Sequence, residues 1–128
     1  YIRMLLKKII GVRDTISGRR YSDIIEIAKD QIRKTYMSDE ISLNTIAAEV
    51  GMSPSYFSSI FSKEMGKTFV EYLTEIRMDR AKELLMCSSM KTSEIGYEVG
   101  YKDPHYFSYI FKKTQNCTPK EFRARGKE

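Results

Sequence analysis

The stretch IAAEVGMSPSYFSSIFSK, from Ile46 to Lys63, returns as IGYEVGYKDPHYFSYIFKK from Ile95 to Lys113. A segment repeated at this length is one structural unit used twice, so any fold for the chain must house two similar, linked units. Up to the turn the offset is 49 residues, which pairs Glu49 with Glu98, Val50 with Val99 and Gly51 with Gly100. After it the offset is 50, which pairs Pro54 with Pro104, Tyr56-Phe57-Ser58 with Tyr106-Phe107-Ser108, and Ile60-Phe61 with Ile110-Phe111. The second copy therefore carries one extra residue in its turn. Insertions land in turns because packed helices cannot absorb them.

Apolar residues recur three and four positions apart and alternating strand patterns are absent, which predicts an all-α fold. Each proline follows a capping residue: Ser53-Pro54, Asp103-Pro104 and Thr118-Pro119. An oxygen-bearing N-cap satisfies orphan amides, and proline at the first helical position forfeits no hydrogen bond, so each pair starts a helix. Gly66 and Asn116 stand at equivalent places and are the residue types that best tolerate the left-handed closure of a helix. Between the copies, Thr68 and Glu71 form a capping box. From it Phe69, Leu73, Ile76, Arg80 with Ala81, Leu84 and Leu85 continue one helix to about Cys87. Some twenty residues of helix span roughly 30 Å, close to the roughly 34 Å of one turn of B-DNA. A further helix from about Tyr21 to Met37 presents Ile24, Ile25, Ala28, Ile32 and Tyr36 to the first copy. Short helices near 42–50 and 92–99 supply the first half of each unit. The expected organisation is residues 1–20 as an interdomain linker or truncated helix, 21–67 as the first helix-turn-helix subdomain, 68–88 as a linker helix, and 89–128 as the second helix-turn-helix subdomain.

With 22 Lys+Arg against 17 Asp+Glu, the net charge is +5 and the pI about 9.2, which favours an anionic partner such as nucleic acid. The two cysteines, Cys87 and Cys117, form no CxxC, and the chain has one histidine, His105, so no zinc site can be assembled. Both read as free thiols in a reducing cytoplasm. There is no Gly-rich phosphate loop, no His and carboxylate at metal spacing and no cysteine in a nucleophile setting, so neither an enzyme nor a cofactor is expected. The opening YIRMLLKKIIGV is broken by Arg3, Lys7 and Lys8, and neither a membrane span nor a signal peptide is read there. Its stripe of Ile2, Leu5, Leu6, Ile9 and Ile10 has two readings: a linker helix that pairs with a second copy, or a packing surface left bare by truncation. A start at Tyr1 suggests a fragment of a longer protein.

In a helix-turn-helix, the first helix braces against the DNA backbone while the second lays its N-terminal face along base edges. The second helix must bury one face and leave the other polar. In the first copy Phe57, Ile60 and Phe61 make the buried stripe, leaving Ser55, Ser58, Ser59 and Ser62 outside with Tyr56 at the edge. The second copy buries Phe107, Ile110 and Phe111 and exposes His105, Ser108, Tyr109 and Lys112. Hydroxyls and imidazole can hydrogen-bond bases or phosphates, the tyrosine ring can press on a thymine methyl, and lysine can meet phosphate. Tyr56, Phe57, Phe61, Tyr106, Phe107 and Phe111 are expected in or near the core, because aromatics at helical spacing pack. Lys63, Arg77, Lys82, Lys91, Lys112, Lys113 and Arg123 form the phosphate-facing set, of which about half are ordinary solvated charges. The plainer reading of His105 is a solvated histidine, and that of the serine face is mere surface.

From about Ser42 to Arg123, roughly two-thirds of its length, the chain resembles the DNA-binding domain of the AraC/XylS family of bacterial transcription regulators. The resemblance is carried by the two E-V-G segments, the two YFS-x-IF segments, the connector FVEYLTEIRMDRAKELL and the closing TPKEFR. It implies two homeodomain-like helix-turn-helix subdomains joined by a long linker helix, bound to double-stranded DNA. Base-reading positions fall on Ser55, Ser58 and Ser59 and on His105, Ser108 and Tyr109. The DNA-backbone set is Pro54, Ser62, Lys63, Arg77, Lys91, Pro104, Lys112 and Lys113. Only serines stand at the first head's base-facing places, where larger bidentate donors are common in DNA readers, so that head is expected to read loosely. RYSDIIEIAKDQIRKTY together with VGYKDPHYFSYIFKK is similar to two-component response regulators of the YesN type, whose receiver domain precedes this effector. The alternatives are a one-component, ligand-responsive regulator and a protein-interaction module that kept the fold without DNA binding. RNA polymerase and a second copy of the full-length protein are the protein partners such a regulator admits.

Overall fold

Capping chemistry sets the boundaries of seven helices among the residues described by the computed structural model, 17–126 with side chains from residue 21. They are α1 Ser17–Thr35, α2 Leu43–Glu49, α3 Pro54–Met65, α4 Phe69–Cys87, α5 Thr92–Glu98, α6 Pro104–Gln115 and α7 Pro119–Gly126. No strand occurs among the described residues, and the fold is all-α as the apolar spacing predicts. The stripe from Ile2 to Ile10 lies outside the described residues.

The three residue-proline pairs open helices as expected. The Ser53 hydroxyl accepts from the Tyr56 N–H at 3.2 Å to start α3, and the Asp103 carboxylate accepts from the His105 N–H at 2.9 Å to start α6. Thr68 with Glu71, and Thr118 with Glu121, form matching capping boxes at the starts of α4 and α7. Each such cap is worth about 1 kcal/mol. Gly66 and Asn116 close α3 and α6 in the left-handed conformation at φ 73° and 65°. Their N–H groups donate to the Ser62 and Lys112 carbonyls, each at 2.9 Å.

Two cores result. The first gathers Ile25, Ala28 and Ile32 of α1, Ile46 and Ala47 of α2, Phe57, Ile60 and Phe61 of α3, and Phe69 and Leu73 of α4. The second gathers Met78, Ala81 and Leu85 of α4 with Ile95, Val99, Tyr101, Phe107, Phe111 and Cys117. Burying each phenylalanine contributes about 1.5–3 kcal/mol. The copies differ at one stripe position: Ile60 is buried, while Ile110, expected to match it, is half-buried. Helix α4 is more than a spacer, since its first half completes one core and its second half begins the other.

The change-over falls at Arg77. The buried line of α4 runs through Phe69, Leu73, Arg77, Ala81 and Leu85, every fourth residue, whereas Arg80 stands exposed and bonds Glu83 at 2.9 Å. Arg77, expected on the DNA backbone, is only 8% exposed and unavailable to phosphate. Its Nε donates to the Tyr36 carbonyl at 2.8 Å and its Nη2 to the Ser38 carbonyl at 2.9 Å. Its guanidinium lies 4.8 Å from the centre of the Tyr101 ring. These bonds satisfy carbonyls left over where α1 ends, so burial of the charge is compensated.

Arg123 of α7, also expected to face phosphate, does the same for the end of α4. Its Nε donates to the Leu85 carbonyl at 2.9 Å and its Nη2 to the Ser88 carbonyl at 3.0 Å. Leu85 follows Tyr36 by 49 residues and Ser88 follows Ser38 by 50, the same offsets that relate the two turns. The structural repeat is thus longer than the repeat in sequence. Each unit consists of an opening helix, the two helices of the motif, and a closing helix whose arginine clamps the end of the opening one. Helix α4 closes the first unit and opens the second.

Candidate nucleic-acid interface

The turn between the two helices of each motif is built by a glycine at positive φ, 72° at Gly51 and 113° at Gly100, a region that other residues enter only with strain. Past each glycine the chain bonds back to the first helix. The Met52 N–H donates to the Ala47 carbonyl and the Tyr101 N–H to the Gly96 carbonyl, both at 2.9 Å. These bonds fix the angle at which α3 leaves α2 and α6 leaves α5. Ala47 has Gly96 as its counterpart because the Phe107 ring packs directly on the α5 backbone. A Cβ at position 96 would stand 2.8 Å from that ring.

With Phe57, Ile60 and Phe61 turned inward, α3 leaves Ser55 and Ser59 exposed, while Ser58 and Ser62 are half-buried. Helix α6 presents His105, Ser108, Tyr109 and Lys112. Tyr109 is 57% exposed, and the Lys113 ammonium lies 5.7 Å from the centre of its ring. Tyr56 and Tyr106, expected in or near the core, are in fact 48% and 49% exposed. Each precedes the inward phenylalanine by one residue, about 100° around the helix, which carries its ring out to the rim. There the Tyr56 and Tyr21 hydroxyls hydrogen-bond, and Tyr106 packs between Tyr101 and Tyr109, with ring centres 5.7 and 6.1 Å away.

Of the remaining backbone set, Pro54, Lys63, Lys91, Pro104, Lys112 and Lys113 are exposed. Pro54 and Pro104 begin α3 and α6, where the positive end of the helix dipole favours an anion. Lys91 is the N-cap of α5, its own N–H donating to the Glu94 carboxylate at 2.9 Å and its ammonium left in solvent. Close to α6, the Glu121 carboxyl is held below its ordinary value, chiefly by the Thr118 N–H that it accepts, and further by Lys112 and Arg125. It therefore stays ionised and committed to the cap of α7. What the arrangement offers is two polar helix faces, one of hydroxyls and one of imidazole, phenol and ammonium groups, each braced by an apolar face. Such faces can hydrogen-bond and neutralise an anionic polymer. No helix among the described residues is long and apolar enough to cross a membrane.

The residues missed in the sequence are those that hold the frame. Arg77 stands four residues after Leu73 and four before Ala81, which places it on the buried line of α4; that spacing was the available signal. Tyr101 and Lys102 lie in the turn that is longer by one residue, and the length difference marked the turn as unlike its partner.

Comparison with known proteins gives concordant results. A family profile described as a helix-turn-helix domain matches residues 46–125. An uncharacterised HTH-type transcriptional regulator in the cgkA 5′ region of Pseudoalteromonas carrageenovora is 36% identical over 78% of this chain and 58% of its own length. The transcriptional regulatory protein YesN of Bacillus subtilis is 32% identical over 85% of this chain and 34% of its own. The chain thus spans little more than half of one of these regulators and about a third of the other. Among solved structures, the C-terminal domain of AraT, a response regulator from Geobacillus stearothermophilus, is 35% identical. It superposes with a TM-score of 0.78, over 80% of this chain and 84% of that domain.

Proposed function

The chain belongs to the AraC-type helix-turn-helix family, and from that premise we propose that it binds double-stranded DNA sequence-specifically as the C-terminal part of a bacterial transcription regulator. The observation that carries this reading is the pairing of α3 and α6. Both are twelve-residue helices with a proline at the first position, both bury a phenylalanine face, and both leave a polar face in solvent. In this reading α3 and α6 enter successive major-groove segments. Ser55, Ser58 and Ser59 read one, and His105, Ser108 and Tyr109 read the other. Pro54, Ser62, Lys63, Lys91, Pro104, Lys112 and Lys113 meet phosphates. Because the heads differ, one copy takes an asymmetric, bipartite site with centres about one helical turn apart.

Selection of this chain against a random double-stranded library at moderate salt tests the reading. The expected result is a bipartite motif whose two parts are about ten base pairs apart, bound with an affinity that falls steeply as salt rises. A folded chain that enriches nothing and shows no salt-dependent binding at low ionic strength would instead act as a protein-interaction module.

Parentage by a two-component response regulator, acting in the cytoplasm, is favoured by the likeness to the AraT domain and to YesN. A phosphodonor added to the longer natural protein would then change its DNA affinity. An affinity that responds to a small-molecule inducer and ignores the phosphodonor would support a one-component regulator instead.

A further inference from the structure

A single helix joining two DNA-reading heads fixes an axis between them. In this chain the heads meet a second time, away from that axis. The segment after α1, residues 36–39, belongs to the first unit and is gripped from two sides. Arg77 bonds the Tyr36 and Ser38 carbonyls from α4. The turn of the second unit presses on the same place: Lys102 pairs with Asp39 at 3.2 Å, the Tyr101 ring covers the Arg77 guanidinium, and Gly100 backs onto the Tyr36 carbonyl. A Cβ at Gly100 would stand 2.8 Å from both the Tyr36 oxygen and Arg77 Nη2. The equivalent glycine of the first unit, Gly51, has nothing within 4 Å. The one-residue extension of the second turn falls in the segment that makes this contact.

We propose that the joint of Arg77, Gly100, Tyr101 and the 36–39 segment is a spacing gauge: it locks α6 relative to α3 and so dictates how many base pairs separate the two halves of the operator. Arg77 and Gly100 are positioning residues in this scheme and touch no DNA. The inference rests on the DNA-reading function proposed above. Adding or removing one base pair rotates one half-site by about 34° relative to the other, so a locked pair of heads discriminates between spacers and a loosened pair does not.

The test uses the full chain and duplexes that carry both selected half-sites at the optimal spacer and at one and two base pairs either side. The wild type loses about tenfold or more in affinity per base-pair step. In Arg77→Met and Gly100→Ala the profile flattens to within about threefold across neighbouring spacers, or its optimum moves. Gly51→Ala is the control. It places alanine at a positive φ, 72° against 113° at Gly100, without touching the joint, and so lowers affinity at all spacers alike. Asp39→Ala with Lys102→Ala gives a second pair of variants on the surface, where folding is not at stake, with a smaller flattening in the same direction. A DNA-free readout separates the gauge from the reading on which it rests. Spin labels are introduced by Glu64→Cys and Lys120→Cys in a Cys87→Ser background, one label in each unit. The gauge requires a narrow distance distribution that broadens or shifts in Arg77→Met and Gly100→Ala, whether or not DNA binds. Unchanged distances and unchanged spacer profiles in folded variants overturn the joint, whereas broadened distances without any specific duplex binding overturn the DNA reading and keep the joint.

Discussion

The two units share a skeleton and differ in what surrounds it. Gly51 turns in open space, while Gly100, at the same point of the motif, is wedged against Tyr36 and Arg77. Ala47 leaves room for a methyl group, where Gly96 is pressed by Phe107. Helix α3 shows hydroxyls and α6 shows His105, Tyr109 and Lys112. A duplicated motif has thus divided its labour: one copy is generic in its turn and its face, and the other carries the joint between units and the chemically richer surface. Local geometry is set by caps and glycines common to both copies, while individual roles are set by the few positions at which neighbours differ.

The most severe way to break the likeness is to remove the ring common to both cores. Phe57→Ala and Phe107→Ala should each cost about 3–5 kcal/mol in chemical denaturation. Similar losses in one shared transition would show that the two cores contribute alike, and a clear inequality would show which ring the common fold depends on more. Next comes the exchange of small residues. Gly96→Ala drives a methyl group into the Phe107 ring and should cost about 1–3 kcal/mol despite the better helix propensity of alanine. Ala47→Gly should cost about 1 kcal/mol, mainly through backbone entropy. A stabilised Gly96→Ala protein would show that the Phe107 ring can move aside.

At the proposed DNA face, His105→Ala or Tyr109→Ala should weaken binding to a selected operator about tenfold while nearly sparing random duplex. Ser55→Ala or Ser59→Ala should change the operator affinity by less than about threefold if the first head reads loosely. Equal losses on selected and random DNA for the first pair would remove their base-reading role. Lys112→Ala should weaken both and reduce the dependence on salt. Smallest of all is the cap of α7. The carboxyl of Glu121 has its pKa lowered by folding, so its contribution is present above the unfolded value of about 4.3 and is lost as pH falls through the folded one. The difference in thermal midpoint between wild type and Glu121→Gln should therefore be seen at pH 7 and fade as the pH drops below about 4.

Much of this frame was legible before any coordinates. The repeat, the three residue-proline starts, the closures at Gly66 and Asn116, and the helix opened by Thr68 and Glu71 all follow from short-range chemistry, and the structure has each of them. The arginines were not legible in the same way. Arg77 and Arg123 find their carbonyls 41 and 38 residues earlier in the chain, and a charged side chain on a helix ordinarily faces water. Spacing alone placed Arg77 on the buried line, but nothing local says that carbonyls at the end of another helix wait there. The tyrosines failed for the opposite reason. Tyr56 and Tyr106 fit an apolar pattern by type, yet one turn of helix has room inward for the phenylalanine beside them and not for both rings.

Helix α4 has one more consequence. Because it is the last element of one unit and the first of the next, no cut through it leaves a finished half. A break near Arg77 would strip Phe69 and Leu73 from their partners on one side, and Met78, Ala81 and Leu85 from theirs on the other. The duplicated halves should therefore unfold together in a single transition. In evolution they would travel as an inseparable pair, exchanged whole between regulators, with crossover points falling outside α4.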